Sequence, residues 1–503
     1  MVAHPNSLRA PSISVALMAA VLSLAPPPPS ARAQDSSVLT YHADNSRSGH
    51  YVVPALSWEK AKSVQIDETF KASIAGSTYA QPLYWRPSGA NTGMLFVATE
   101  DNVVYALDAT TGKELWRRAV GRPVRASSLP CGNINPLGIT GTPVIDPATQ
   151  AIYFDAAVER ASGPSHEVFA LSTKDGSVLP GWPVDVAGAL QRSGRHFDPR
   201  VQNQRAALTL LDDTLYVAFG GHFGDCGNYH GWIVGISLRD PGKLTSFATR
   251  ARGGGSWSPG GLSVIGHDIY FTTGNTMGAQ TWSDGEAVFH VGADLRRSDD
   301  KRNYFAPSDW KTLDAGDVDL GGSNPLPLDV PGAGGDRALI LALGKDGKAY
   351  LLDRHDLGGI GGQLAVKEVS QSSIITSPAS YRAGNDVFVA FRASGAQCPS
   401  NRGHELTVLK ITADARPAVA TAWCGALRGR GSPIVTTTDG HSNPIVWILG
   451  AEGDDRLHAF RGDTGEQIYA SETLRGLRRF QTPIATKDRL YVAADERVYA
   501  FKF

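Results

Sequence analysis

The stretch at 101–116, DNVVYALDATTGKELW, sets most of what this chain can become. Val103, Tyr105 and Leu107 alternate with smaller or polar neighbours, the run up to Gly112 breaks the alternation, and Glu114, Leu115 and Trp116 resume it. That is the pattern of two antiparallel strands joined by a turn. Degraded copies stand in phase at 168–182, 349–356, 457–469 and 498–503. A unit of this size cannot bury its own apolar face, so the copies must stack and share a core.

A second marker counts the units. A small or polar residue followed by proline opens a short apolar strand at Pro82, Pro143, Pro259, Pro325, Pro378, Pro433 and Pro483, and Arg205-Ala206 fills the gap in the series. The spacings run from 50 to 66 residues and give eight units. Each reads as four strands, which in the first unit are 81–85, 94–99, 103–108 and 113–120. The eighth stops on its third strand at Phe503, while 63–71 (SVQIDETFK) alternates like a strand able to replace the fourth. The expectation is an all-β fold, an eight-bladed β-propeller of four-stranded blades, its ring closed by an N-terminal strand in the last blade and its proline-marked strands innermost. The longest departures from the repeat, at 122–141, 187–204, 220–231 and 275–322, belong on the faces, where a site should be sought.

Ahead of the ring, Arg9, the apolar run at 13–24 and Ala31-Arg32-Ala33 read as a secretory leader over 1–33, too short in its apolar part to span a bilayer. The expected division is a leader at 1–33, an N-terminal extension at 34–62 and the propeller at 63–503, working in the periplasm or outside the cell. Cys131, Cys226, Cys398 and Cys424 allow two disulfides in three pairings. Cys398 with Cys424 is preferred because both lie in one repeat. A net charge of −1 offers no footprint for nucleic acid or an anionic membrane.

Three further segments carry chemistry: Gly253-Gly254-Gly255-Ser256-Trp257 with Thr273-Gly274-Asn275, then Asp317-Val318-Asp319, then Leu343-Gly344-Lys345. With the repeat, they resemble the eight-bladed propellers of the pyrroloquinoline quinone (PQQ) dehydrogenase type, over about 64–503. The resemblance implies that Trp257 stacks on the quinone, Asn275 coordinates a metal, and Asp317 takes the alcohol proton. It also implies that Asp319 is an extra ligand favouring a lanthanide over Ca²⁺, and that Lys345 meets the quinone carbonyl. The substrate would be a small alcohol, polyol or sugar. Two features depart from the family. Cys131 stands alone where a vicinal cysteine pair is usual, and the metal-binding glutamate has Asp225 as its best stand-in. No C-x-x-C-H haem site occurs, so electrons would leave through a separate acceptor such as a cytochrome.

His222, Asp225 and His230 fall within one loop, with Arg205 expected on the same face. They suit a metal site, an acid/base pair oriented by a carboxylate, or a turn in which the rings cap carbonyls and Cys131 pairs with Cys226. Two alternatives therefore stand beside a dehydrogenase with Arg205 among its cofactor contacts. One is a metal-assisted hydrolase or lyase on this face. The other is a non-catalytic envelope scaffold resembling the outer-membrane assembly propeller.

Overall fold

The founding repeat forms the strands Leu83–Trp85, Met94–Ala98, Val103–Asp108 and Glu114–Ala119, paired antiparallel in that order. The structure, a computed structural model, describes residues 1–3, 37–332, 334–398, 404–414 and 416–503, and the expected leader lies almost entirely outside them. Eight such sheets follow one another around a ring, a β-propeller with few helices. Among the described residues no helix is long and apolar enough to cross a membrane.

Strand pairing satisfies the backbone, and burial between blades supplies the driving force. Alternation leaves each sheet apolar on both faces, and the larger apolar clusters join neighbouring blades. Leu341, Leu343 and Leu351 of the fifth blade meet Val387, Val389 and Phe391 of the sixth, all nearly inaccessible to water. Each such side chain contributes roughly 1.5–3 kcal/mol relative to exposure. The largest cluster closes the ring, joining Leu95 and Val97 of the first blade to Leu490 and Val492 of the eighth and to Trp447 of the seventh.

The eighth blade completes itself with the N-terminal chain. Its third strand, Arg497–Lys502, pairs antiparallel with Gln65–Ile66 and again with Ala72–Ser73. Of the expected strand at 63–71 only Gln65–Ile66 forms, and the second piece, Ala72–Ser73, lies just beyond it. Asp67 interrupts it, since its carbonyl accepts the Phe70 N–H at 3.0 Å and its carboxylate accepts the Thr69 N–H at 3.1 Å.

Residues 37–53, expected only as part of an extension ahead of the ring, run through the central channel. The segment enters beside the first blade, where Val38 bridges Tyr84, and Leu39 O accepts the Ile145 N–H of the second at 2.8 Å. It crosses the third and fourth blades through Asn45, whose side chain donates to Leu210 O at 2.7 Å and whose carbonyl accepts the Val264 N–H at 2.7 Å. It leaves as His50–Val52, paired parallel with the innermost strand of the seventh blade, Ile434–Thr437. Arg47, fully buried, holds the crossing in place with hydrogen bonds to Leu262 O, Leu208 O, Tyr41 O and the hydroxyls of Thr40 and Thr209. The channel is therefore stoppered by the chain's own backbone.

Candidate functional site

Each innermost strand starts at the same end of the channel, so the residues before the marker prolines form a polar ring there. Gln81, Thr142, Ser258, Asn324, Ser377, Ser432 and Thr482 are all buried. Some bond around the ring: Gln81 N–H donates to Thr142 Oγ1 at 2.9 Å, and Ser377 N–H to Ser432 Oγ at 3.1 Å. Ser258 Oγ, Asn324 Oδ1 and Ser377 Oγ find no partner among the described residues. The stopper's tip is the floor, with the rings of Tyr41 and His42 stacked at 4.2 Å and the His42 N–H on Gln81 Oε1 at 3.0 Å. Burial pushes the His42 imidazole down to about 3, so it sits neutral. Buried polar groups with unspent hydrogen-bonding capacity are expensive unless water or a ligand meets them.

Above this floor, the fourth and fifth blades bring three of the sequence motifs together. Glycines 220, 274 and 322 crowd Trp257, and a Cβ at these positions would come within 3.1, 3.2 and 3.2 Å of it. The Lys345 ammonium lies 5.4 Å from the centre of the indole. It forms ion pairs with Asp319 at 2.5 Å and Asp317 at 2.9 Å. Asp319 also accepts the Asn275 N–H at 2.6 Å. Asp317 has φ +52° and a side chain 64% exposed, whereas that of Asp319 is 4% exposed. A regular strand would have aimed both carboxylates one way. The left-handed turn sends one toward solvent and the other inward, with the lysine between them.

Two acids that motif reasoning passed over join the group. Glu286 is fully buried, with one oxygen on the Leu320 N–H at 2.6 Å and the other without a partner. Asp314 accepts from the Thr276 hydroxyl. Burial, then the charge of Asp319, push Glu286 well above the usual carboxylate range. Asp319 is raised by burial, with Lys345 opposing the rise. Burial would pull Lys345 down, but the two carboxylates it pairs with hold it above an ordinary lysine. One cation thus pairs with exposed Asp317 and buried Asp319, and its charge also reaches buried Glu286. Only context marks Glu286, since a lone glutamate after Gly285 carries no periodic or motif signal.

The histidine loop does not gather into a site. His230 Nδ1 lies 3.0 Å from Thr249 O, a carbonyl cap. Asp225 accepts the Tyr229 hydroxyl at 2.6 Å. His222 is buried with its Nε2 unpartnered, held neutral by burial that lowers it to about 4. Together with Asn203 and Gly132 it lines a water-sized cavity of about 10 Å³. Disulfides join Cys131 to Cys226, over this loop, and Cys398 to Cys424. Among the described residues no group of three or more His, Cys, Asp or Glu side chains is placed to hold a metal ion. Arg205 stands elsewhere on the mouth, its guanidinium over the Phe480 ring at 5.1 Å.

A family profile described as "Outer membrane protein assembly factor BamB" matches residues 57–290. No curated protein matches the chain. Among solved structures, a quinohemoprotein alcohol dehydrogenase from Pseudomonas putida HK5 superposes with a TM-score of 0.66 at 13% identity, over 93% of this chain and 80% of that one. The corresponding enzyme of Comamonas testosteroni gives 0.62 at 13% identity, over the same shares. A europium-containing methanol dehydrogenase gives 0.65 at 12% identity, over 93% of this chain and 98% of that one. At such identities the likeness is one of fold.

Proposed function

From the premise that the chain matches a PQQ-like propeller family, we propose that it is a PQQ-type oxidoreductase acting on the hydroxyl of a small alcohol, polyol or sugar. The observation that carries this reading is the Lys345 ammonium held between Asp317 and Asp319 and facing the Trp257 indole. The residues suit a flat anionic quinone. Trp257 offers an aromatic plate in a glycine cradle, and the unspent polar atoms of Ser258 and Asn324 line the wall below. Two disulfides fit the oxidising compartment that this reading requires.

Trp257 and Lys345 would hold the quinone, which would supply the hydride acceptor for alcohol oxidation. The chain's own residues do the rest. Asp317, the exposed carboxylate of the pair, takes the hydroxyl proton from a substrate arriving through the mouth. Lys345 pairs with Asp317 at 2.9 Å and offers a fixed cation where negative charge accumulates. Asp319 holds the lysine from behind at 2.5 Å, and the stopper closes the far side, so substrate enters and leaves by one end. The donor set does not fit a bound metal: Asp319 is spent on Lys345 and on the Asn275 N–H, and Asp225 on Tyr229. No step here runs through one.

The test is oxidation of a panel of primary alcohols, polyols and aldoses by PQQ-reconstituted protein with an artificial dye acceptor. Asp317→Asn is expected to lower kcat by roughly 10²–10⁴-fold, the usual worth of a positioned base. Activity that survives the substitution unchanged would remove Asp317 from this role.

A further inference from the structure

Arg205 and its neighbours are not absorbed by the quinone reading. The guanidinium rests on Phe480, mostly out of water, and none of the described residues accepts a hydrogen bond from it. Two other arginines nearby are already neutralised: Arg478 pairs with Asp495 at 2.6 Å and Arg479 with Glu452 at 2.7 Å. Arg205 instead feels the charge of Glu100 without closing an ion pair to it. Glu100 is 1% exposed; one of its oxygens takes the Gly138 N–H at 2.6 Å, and the other closes no hydrogen bond, with the Thr140 hydroxyl near enough only to ease its charge. A desolvated cation with unspent donors therefore lies within electrostatic reach of a buried carboxyl with an unspent oxygen. Each alone would be costly.

We infer that Arg205 and Glu100 form a subsite for a free small monocarboxylate, bound in the fork of Arg205 against the Phe480 ring and accepting a hydrogen bond from the Glu100 carboxylic acid. The planar fork of arginine matches a carboxylate. A single charge suits the subsite better than a phosphate dianion, because one cation is available and an acidic group stands beside it. Burial pushes Glu100 up to about 7, eased by the Gly138 N–H, the Thr140 hydroxyl, Arg205 and Arg478, which are the groups facing it. Below that value Glu100 is a neutral donor. Above it, its charge repels the ligand and competes for Arg205, so affinity should fall as pH rises through about 7. The subsite is independent of the quinone and is tested without it.

The experiment is calorimetric titration of the quinone-free protein with sodium propanoate, propanamide and inorganic phosphate, at about pH 6 and pH 8. Propanoate should bind, more tightly at the lower pH, and the amide should not. Arg205→Met, which keeps the stem over Phe480, should weaken propanoate at least about tenfold while leaving the melting temperature of the ligand-free protein unchanged or higher. Glu100→Gln should retain binding and flatten the pH profile. Equal response to the amide, tighter binding of phosphate, or propanoate affinity unmoved by Arg205→Met would overturn the inference. A drop in ligand-free melting temperature in Arg205→Met would assign the residue to packing instead. Full competition by PQQ, with PQQ itself weakened in Arg205→Met, would assign the carboxylate to the cofactor and overturn the free-ligand subsite.

Discussion

Replacing Arg47 by methionine is expected to cost about 3–5 kcal/mol of stability, the range for breaking a buried charged network. Two effects oppose each other. Burial disfavours the charge, and Asp44 is the one carboxylate that eases it. Against this, the guanidinium donates to five acceptors at 2.6–3.1 Å, which belong both to the stopper and to the third and fourth blades. Hydrogen bonds from a charged donor contribute roughly 1.5–3 kcal/mol each, and acceptors left buried and empty each cost about 1–3 kcal/mol. The network outweighs the desolvation. Chemical denaturation should show the lost stability, and amide exchange should show residues 37–53 losing protection before the blades do. An unchanged denaturation midpoint with the segment still protected would mean that strand pairing alone holds the stopper.

Lys345→Met is expected to lower kcat of the PQQ-reconstituted protein by about 10²–10³-fold, the worth of one preorganised charge in a water-poor site. The same substitution strips Asp319 of its counterion beside Glu286, whose pKa already reflects that repulsion. Both acids would then shift further toward their protonated forms, and the face of Trp257 would lose its cation. Lys345→Arg keeps the charge but has to seat a planar fork where a compact ammonium meets two carboxylates, so only partial rescue is expected. Steady-state kinetics on the three proteins decides this. Equal kcat in wild type and Lys345→Met would leave the lysine as a structural clamp for the 317–319 turn.

The ring was legible because its signal is periodic and repeated. Eight starts, each a small or polar residue before an apolar strand, are hard to produce by chance, and blade order follows from chain order. Trp257, Asp319 and Lys345 were legible because each sits in a local motif whose spacing survives. The stopper was not. Residues 37–53 alternate nowhere, are rich in polar side chains, and acquire meaning only from the channel wall they meet. Arg47 in sequence is one more arginine among serines. Glu100 and Glu286 were missed for the same reason, since burial turns an ordinary glutamate into a shifted one and burial is a property of the ring. The loop at 222–230 left a metal site, an acid/base pair and a capped turn open in sequence; in the structure one histidine caps a carbonyl, the other is buried beside Asn203, and Cys131 pairs with Cys226.

The central claim is that the Trp257–Lys345 face of the mouth receives PQQ. It is tested most directly by titrating the purified protein with PQQ, with and without Ca²⁺ or La³⁺, while following absorbance and melting temperature. Binding to the native state alone must raise the melting temperature by mass action. A stoichiometric spectral change and a matching thermal shift are expected in the wild type, both abolished in Trp257→Ala. No spectral change and no shift at PQQ concentrations far above those of the protein, or a shift that persists in Trp257→Ala, would contradict it.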